Sequence, residues 1–165
     1  MRKNSGKMKT VYVETPLGIA EVTGDENGIS KIFITENIGA KVSANIPDYL
    51  LNVTRQLQEY FDGKRTNFDI PLNPPGTQFQ KKVWDELLKI PFGKTATYLE
   101  IAKKLGDPKC IRAAATANGK NPLWIIIPCH RVIGSDGSLT GYAGGIWRKK
   151  WLLEHENPVK QQSLF

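Results

Sequence analysis

Ile125-Ile126-Ile127-Pro128-Cys129-His130-Arg131-Val132 is the stretch around which the second half of the chain is arranged. An apolar run ends at a proline, and a cysteine and a histidine follow at once. The run predicts a buried strand, with Pro128 withdrawing a main-chain donor where pairing should stop. A strand end that presents Cys-His is a candidate reactive thiol beside a base. Thiolate is the nucleophilic form, and a neighbouring imidazole with the positive charge of Arg131 lowers a thiol's pKa from about 8.5. A base works best when a third group orients it, usually a carboxylate. Glu156, Glu154 and Asp136 all stand open for that role, and spacing does not choose among them.

The whole chain sets the bounds. Its 165 residues suit one compact unit or two small domains, and 40% hydrophobic with 24% charged residues is an ordinary globular balance that can bury a core. No apolar run approaches the ~20 residues a membrane span needs. The N-terminus lacks a secretory leader's apolar core, so a cytoplasmic protein is expected. Cys110 and Cys129 make no disulfide framework. A zinc site of Cys/His type would consume both of them and both histidines, His130 and His155, so no metal is expected. Charge is unevenly placed. Residues 1–77 carry nine basic and nine acidic side chains, whereas residues 78–157 carry thirteen basic against seven acidic, which points the second half at a polyanion.

Toward the N-terminus, residues 1–9 read as a flexible polar tail. Strands are expected near residues 10–15, 19–23 and 29–35, the last two separated by the hairpin signal Gly24-Asp25-Glu26-Asn27-Gly28. Leu50, Leu51, Val53, Leu57, Tyr60 and Phe61 recur at helical spacing from residue 47 to 61, and Gly63 is a helix stop. Residues 10–70 thus form a sheet-plus-helix scaffold. Pro71, Pro74 and Pro75 mark residues 71–76 as a stiff linker.

Residues 77–157 form the second domain. Thr77 with Gln80, and Thr97 with Glu100, are capping-box signatures that each open a helix. The second of these helices ends at Gly106, and Asp107-Pro108 caps another that runs to about Asn118, making a helix-turn-helix. That last helix, Lys109-Cys110-Ile111-Arg112-Ala113-Ala114-Ala115-Thr116-Ala117-Asn118, is nearly all small. A smooth face permits the close backbone approach a narrow minor groove requires, with Arg112 as the one projecting side chain. A tightly packed core helix is the competing reading. A glycine-bearing loop, residues 139–145, and a final helix over about residues 147–155 complete an α/β (α+β) protein: a small sheet-plus-helix domain followed by a mainly helical one with a helix-turn-helix.

Several segments, in order, resemble the O6-alkylguanine-DNA alkyltransferase family (methylated-DNA–protein-cysteine methyltransferases). They are Gly76-Thr77-Gln78-Phe79-Gln80, Val83-Trp84, Ile90-Pro91-Phe92-Gly93, Thr97-Tyr98, Asn118-Gly119-Lys120-Asn121-Pro122, Pro128-Cys129-His130-Arg131-Val132-Ile133-Gly134, Gly141-Tyr142-Ala143-Gly144-Gly145, and Leu152-Leu153 with Glu156. The resemblance implies repair of O6-alkylguanine (or O4-methylthymine) in duplex DNA, with the base flipped out from the minor groove. It makes Cys129 the alkyl acceptor, His130 its base through a water, Glu156 the orienting carboxylate, Tyr98 the proton donor to guanine and Asn121 the brace beneath the cysteine. Arg112 would fill the gap left by the flipped base. Ala113, Thr116 and Ala117 on the same helix, with Tyr98 and Arg131, would meet DNA. Trp124, Tyr142, Ala143, Gly144 and Gly145 would line the base pocket. Trp124 stands where many relatives have a small residue or proline, and Ala143 where some have serine, which bears on substrate range. A thioether is not a leaving group and no cofactor motif is visible, so a cofactor-free, single-turnover methyltransferase acting as a monomer is expected.

Two other classes fit parts of the pattern: a helix-turn-helix regulator with a structural Cys129, and a Cys-His-Glu hydrolase whose thiol turns over. The C-terminal Gln161-Gln162-Ser163-Leu164-Phe165, within a tail of residues 158–165, resembles the peptides with which bacterial DNA-maintenance proteins bind the polymerase sliding clamp. Gln161, Ser163, Leu164 and Phe165 are the candidate contacts.

Overall fold

The computed structural model describes residues 7–37 and 39–157, so the tail from Gln161 to Phe165 lies outside the described residues. The chain divides into two compact units, Met1–Pro75 and Gly76–Phe165. Among the described residues no helix is long and apolar enough to cross a membrane.

The first unit is a three-stranded antiparallel meander, β1 (Lys9–Thr15), β2 (Gly18–Asp25) and β3 (Gly28–Ile34), with α1 (Asp48–Phe61) packed on it. Period-two alternation decides the buried face. Val11 pairs with Val22 and Val13 with Ala20, while Val22 pairs on with Ile32 and Ala20 with Ile34, and all six side chains are buried. From α1, Leu50, Val53, Leu57 and Tyr60 are also buried, at the spacing of one helical face. The proline-rich residues 71–73 differ from the expected linker. Ile29 donates to the Pro71 carbonyl and Asn73 to the Ile29 carbonyl, so β3 holds this segment by main-chain bonds that need no proline donor. Gln56, buried on α1, bonds both main-chain groups of Asp69 and fixes the approach to it.

The second unit opens with α2 (Gln78–Leu87), then β4 (Ala96–Thr97) leads directly into α3 (Tyr98–Lys104). Both capping boxes form: Thr77 and Gln80 exchange side-chain and main-chain bonds, as do Thr97 and Glu100. Gly106, at φ 97°, ends the α3 turn in a conformation that a side chain would strain. The helix expected from Asp107 onward is composite. Pro108–Cys110 is a 3₁₀ turn capped by Asp107, and the α-helix proper, α4, is Ile111–Gly119. Trp84 of α2 donates its indole N–H to the Ala117 carbonyl at 2.9 Å, both groups being buried, which ties α4 to the unit's core. The chain finishes in α5 (Ile146–Glu156).

The largest departure from expectation is residues 125–127, which form a turn rather than a strand. Ile126 donates to the Trp124 carbonyl and Ile127 to the Leu123 carbonyl, and Ile125 takes φ 75°, a left-handed conformation that costs a β-branched residue on the order of 1–3 kcal/mol. The buried Asn121 side chain over-determines the turn. It donates to the Ile127 carbonyl at 2.7 Å and accepts from the Leu123 N–H at 2.9 Å. All three isoleucines are buried, so the apolar run reports the core correctly while periodicity leaves its backbone undecided. Cys129–Arg131 is a 3₁₀ turn, and β5 (Val132–Ile133) pairs in parallel with β4, Ala96 to Val132 and Thr97 to Ile133. This short ladder joins the residue just before Tyr98 to those just after Cys129–Arg131.

Candidate active site and nucleic-acid interface

Cys129 sits at the start of its 3₁₀ turn, 5% exposed, over the turn that Asn121 closes. Burial pushes its thiol up to about 11, against the lowering effects of Asn121 and the charge of Lys149. The resting side chain is therefore a thiol, and its proton must be taken or balanced by neighbours.

The neighbouring imidazole is completely buried. His130 Nε2 lies 2.7 Å from Glu156 Oε2, and Nδ1 has no hydrogen-bond partner among the described residues. Arg131 grips the same carboxylate from the other side, Nε to Oε1 at 2.7 Å and Nη2 to Oε2 at 3.0 Å, and Nη1 donates to the Ile90 carbonyl at 2.7 Å. Burial alone would raise the Glu156 carboxyl, but the bonds and charges of His130 and Arg131 hold it at about 2. Burial lowers His130 below its ordinary value despite the carboxylate. With Arg131 matching the Glu156 charge, the imidazole stays neutral. An ionised carboxylate can only accept, so Nε2 carries the hydrogen and Nδ1 is the basic nitrogen. Of the three carboxylates left open by spacing, Glu156 is the one bonded to His130.

Arg131 itself requires a correction. Expected to meet DNA, it is 6% exposed and committed to Glu156 and Ile90, so it positions the carboxylate instead. Ala117 is also turned inward, 3% exposed with its carbonyl held by Trp84. Burial on α4 falls on Ala114, Ala117 and Asn118, which leaves Arg112, Ala113 and Thr116 facing out. Period 3.6 separates these two faces, and a helix of small residues hides which is which in a one-dimensional reading.

Across from α4 the loop of residues 139–145 completes a concavity of about 640 Å³ lined by Tyr98, Arg112, Thr116, Thr140, Tyr142 and Ala143, among others. Its wall is close-packed. The Trp124 and Tyr142 ring centroids lie 5.5 Å apart, and a Cβ placed on Gly144 would fall 2.8 Å from Tyr142 and 2.9 Å from Trp124, so only glycine fits between them. Arg148 fastens the Gly144 carbonyl at 3.0 Å and stacks on Trp147, while Gly145 provides the cap residue of α5. Tyr98 donates to the Thr140 carbonyl at 3.2 Å, and burial raises its phenol above the ordinary value, so it keeps its proton at neutral pH.

One residue of this site escaped the sequence reading. Lys149 is fully buried and donates its Nζ to the same Thr140 carbonyl at 2.7 Å, 5.9 Å from the Tyr98 ring centre. The signal was present: Lys149, Leu152 and Glu156 stand at i, i+3 and i+7 on α5, the spacing of one face, and all three are buried.

Similar proteins bear on the family of this chain. Residues 78–158 match the family model described as the DNA-binding domain of 6-O-methylguanine DNA methyltransferase, and residues 8–74 match its ribonuclease-like domain. A methylated-DNA–protein-cysteine methyltransferase of Methanosarcina acetivorans is 45% identical over 150 residues, covering 87% of this chain and 94% of the relative. The constitutive one of Bacillus subtilis is 42% identical, covering 79% and 84%. The crystal structure of Mycobacterium tuberculosis O6-methylguanine methyltransferase superposes with a TM-score of 0.81 at 36% identity, over 96% of this chain and all of that one. Mycobacterium tuberculosis OGT in complex with DNA does so at 0.80 and 40% identity, over 93% and 98%. With both domain models matched and relatives similar along almost their whole length, the chain belongs to the 6-O-methylguanine DNA methyltransferase family.

Proposed function

We propose that this chain, acting as a monomer, repairs alkylated duplex DNA by moving the alkyl group from O6 of guanine to Cys129, once per molecule. The observation that carries this reading is the buried Glu156 carboxylate bonded to His130 and Arg131, the two residues that follow Cys129, in a chain whose relatives are methylated-DNA–protein-cysteine methyltransferases. His130 Nδ1 takes the thiol proton through a water, and Glu156 accepts from Nε2. The sulfur lone pair forms the S–C bond as the C–O6 bond breaks, and the electron pair left on guanine is met by a proton from Tyr98. The thioether cannot leave, so the protein is consumed. Displacement at a saturated carbon suits a soft thiolate, which favours this reading over a hydrolase.

In this reading α3 and α4 act as a helix-turn-helix laid on the minor groove, with exposed Arg112, Ala113 and Thr116 against DNA and Arg112 filling the stack when the base turns out. Backbone groups around Tyr142 and Ala143 receive the base. With O6-methylguanine duplex in excess, wild-type repair should stop at one lesion per chain. Arg112→Ala should reach the same end point at least about tenfold more slowly, since unstacking costs a few kcal/mol, while its reaction with free O6-benzylguanine is unchanged. Continued turnover would overturn the reading, and equal slowing on duplex and free base would remove the wedge.

The tail is read as a clamp peptide on its sequence alone. Deleting residues 161–165 should abolish capture by a bacterial sliding clamp in a pull-down and leave lesion repair intact; undiminished capture would discard it. Two free thiols, Cys110 and Cys129, suit a reducing, cytoplasmic setting.

A further inference from the structure

The wall of the base pocket is built from residues that cannot hold it in place by themselves. Gly141, Gly144 and Gly145 bring no side chains to pack, and a glycine backbone is the freest of all. The segment is fastened from outside instead. Gly145 donates to the Tyr142 carbonyl at 2.9 Å and closes residues 142–145 into one turn, while Tyr98 and Lys149 hold the Thr140 carbonyl at the other end. Gly145, at φ 92° and ψ 153°, leads the chain out of the path of α5. From the first turn of that helix the Arg148 side chain reaches back and donates to the Gly144 carbonyl at 3.0 Å. Its guanidinium carbon lies 4.6 Å from the centre of the Trp147 ring, and Trp147 is 55% exposed. A planar guanidinium suits both contacts, since its face stacks on an indole while its edge donates.

The two sides of Gly144 are unequal. A Cβ here would fall 2.8 Å from Tyr142 and 2.9 Å from Trp124, so the backbone has no room to move toward those rings. Movement away from them is opposed by the bond from Arg148. We propose that Arg148 is the latch of the pocket wall and sets the size of alkyl group the site accepts: held on the Gly144 carbonyl and supported by Trp147, it keeps the turn of residues 142–145 closed against Trp124, so that small O6 substituents fit and large ones are disfavoured.

The inference rests on the proposed alkyl transfer to Cys129 and makes Arg148 a positioning residue that decides specificity through the loop. Tyr142 and Ala143, which line the concavity, belong to the turn that the latch fixes, so a shift at Gly144 is passed directly to the pocket. Discrimination by size depends on a wall that does not yield, and a wall of glycines yields unless something holds it. A hydrogen bond from a charged donor is among the stronger ways to hold a lone carbonyl.

Competition between two substrates tests this on the intact protein. Equal amounts of two duplexes of one sequence, carrying O6-methylguanine or O6-benzylguanine, are offered together in excess, and the peptide that spans Cys129 is weighed. Each chain reacts once, so the ratio of benzyl to methyl thioether reports preference among folded molecules, and any misfolded fraction drops out. Comparison with wild type cancels the intrinsic difference between the two carbons. Arg148→Ala should raise the ratio at least about fivefold, the effect of losing one hydrogen bond from a charged donor at a part-exposed site. Arg148→Lys, which keeps a donor for the carbonyl and loses the flat stack, should fall between Ala and wild type. Trp147→Ala should move the ratio the same way by a smaller factor. A residue that merely stabilised α5 would slow both transfers alike, so an unchanged or lower ratio in Arg148→Ala overturns the proposal. Should that variant fail to fold, Trp147→Ala decides, and an unchanged ratio there overturns it. Absence of any thioether on wild-type Cys129 is a separate result, which sinks the acceptor assignment instead.

Discussion

Cys129→Ser removes methyl transfer to below detection while affinity for O6-methylguanine duplex stays within about twofold of wild type. The two halves of this expectation have different physical origins. Transfer needs a soft, ionisable nucleophile, and a serine hydroxyl in the same place is neither. In the proposed reading, binding draws instead on Arg112 and the exposed face of α4, apart from the buried Cys129. The substitution is nearly isosteric, and the turn beneath is held by Asn121 through main-chain groups, so the fold should persist. Gel-shift titration and repair assays on the same preparation check both halves. A helix-turn-helix regulator with a structural cysteine predicts no loss of any activity, and a hydrolase predicts wild-type turnover beyond one equivalent.

Glu156→Gln should carry the largest cost to stability, about 3–5 kcal/mol, because it strands the buried Arg131 guanidinium without its counter-charge. The carboxylate sits between His130 and Arg131 at 1% side-chain exposure, so solvent does not screen the loss. Its pH signature follows from the depressed carboxyl. A group held at about 2 when folded, against an ordinary 4.5, contributes stability that is complete above about pH 4.5 and is lost as pH falls toward 2. The shift corresponds to roughly 3 kcal/mol. His130 adds to the same trend at higher pH. Its depressed value means the folded state resists protonation, so stability begins to fall below about pH 6.5. Urea unfolding across pH 2 to 7 should show both losses in wild type and only the histidine part in Glu156→Gln. Adding Arg131→Met to that variant should restore some of the stability, as expected when the penalty is an unpaired charge. A Glu156→Gln protein within about 1 kcal/mol of wild type at pH 7 would show that Arg131 finds another partner.

The same carboxylate also sets the chemistry. Because Arg131 neutralises Glu156, the imidazole is left uncharged with Nδ1 basic. Proton removal from sulfur is then a task suited to the neutral His130.

What was legible in the sequence was what local chemistry decides. Thr77 with Gln80 and Thr97 with Glu100 mark their helix starts because a capping box is closed within four residues. The β2–β3 hairpin turns at Glu26-Asn27, inside the signal Gly24-Asp25-Glu26-Asn27-Gly28, and the helix over Asp48–Phe61 follows its apolar period. Cys129, His130 and Glu156 came from motifs, and the bond that joins His130 to Glu156 spans 26 residues that no local rule connects. The misreadings share a cause. Residues 125–127 were assigned by apolarity, which reports burial and leaves a turn and a strand indistinguishable until Asn121 is seen to bind Ile127 and Leu123. The resemblance places Arg131 against DNA and Lys149 draws no reading at all, since charge favours a surface place unless a partner is known. Arg131 is buried because Glu156 meets it from a distant helix, and Lys149 because its own helix presents it with Leu152 to the core. A charged residue at i relative to buried positions i+3 and i+7 is the pattern that distinguishes such cases from a solvated face.

The central claim is that this chain consumes itself at one sulfur. Incubating it with O6-methylguanine duplex, digesting it and weighing the peptide that spans residue 129 is the most direct test, with Cys129→Ser beside it as control. The account predicts one added methyl group per chain, on Cys129 and absent from Cys110, stable to prolonged incubation, and no modification of the Ser variant. A methyl group elsewhere, release of the adduct with renewed repair, or unmodified Cys129 after the lesion has disappeared would contradict it.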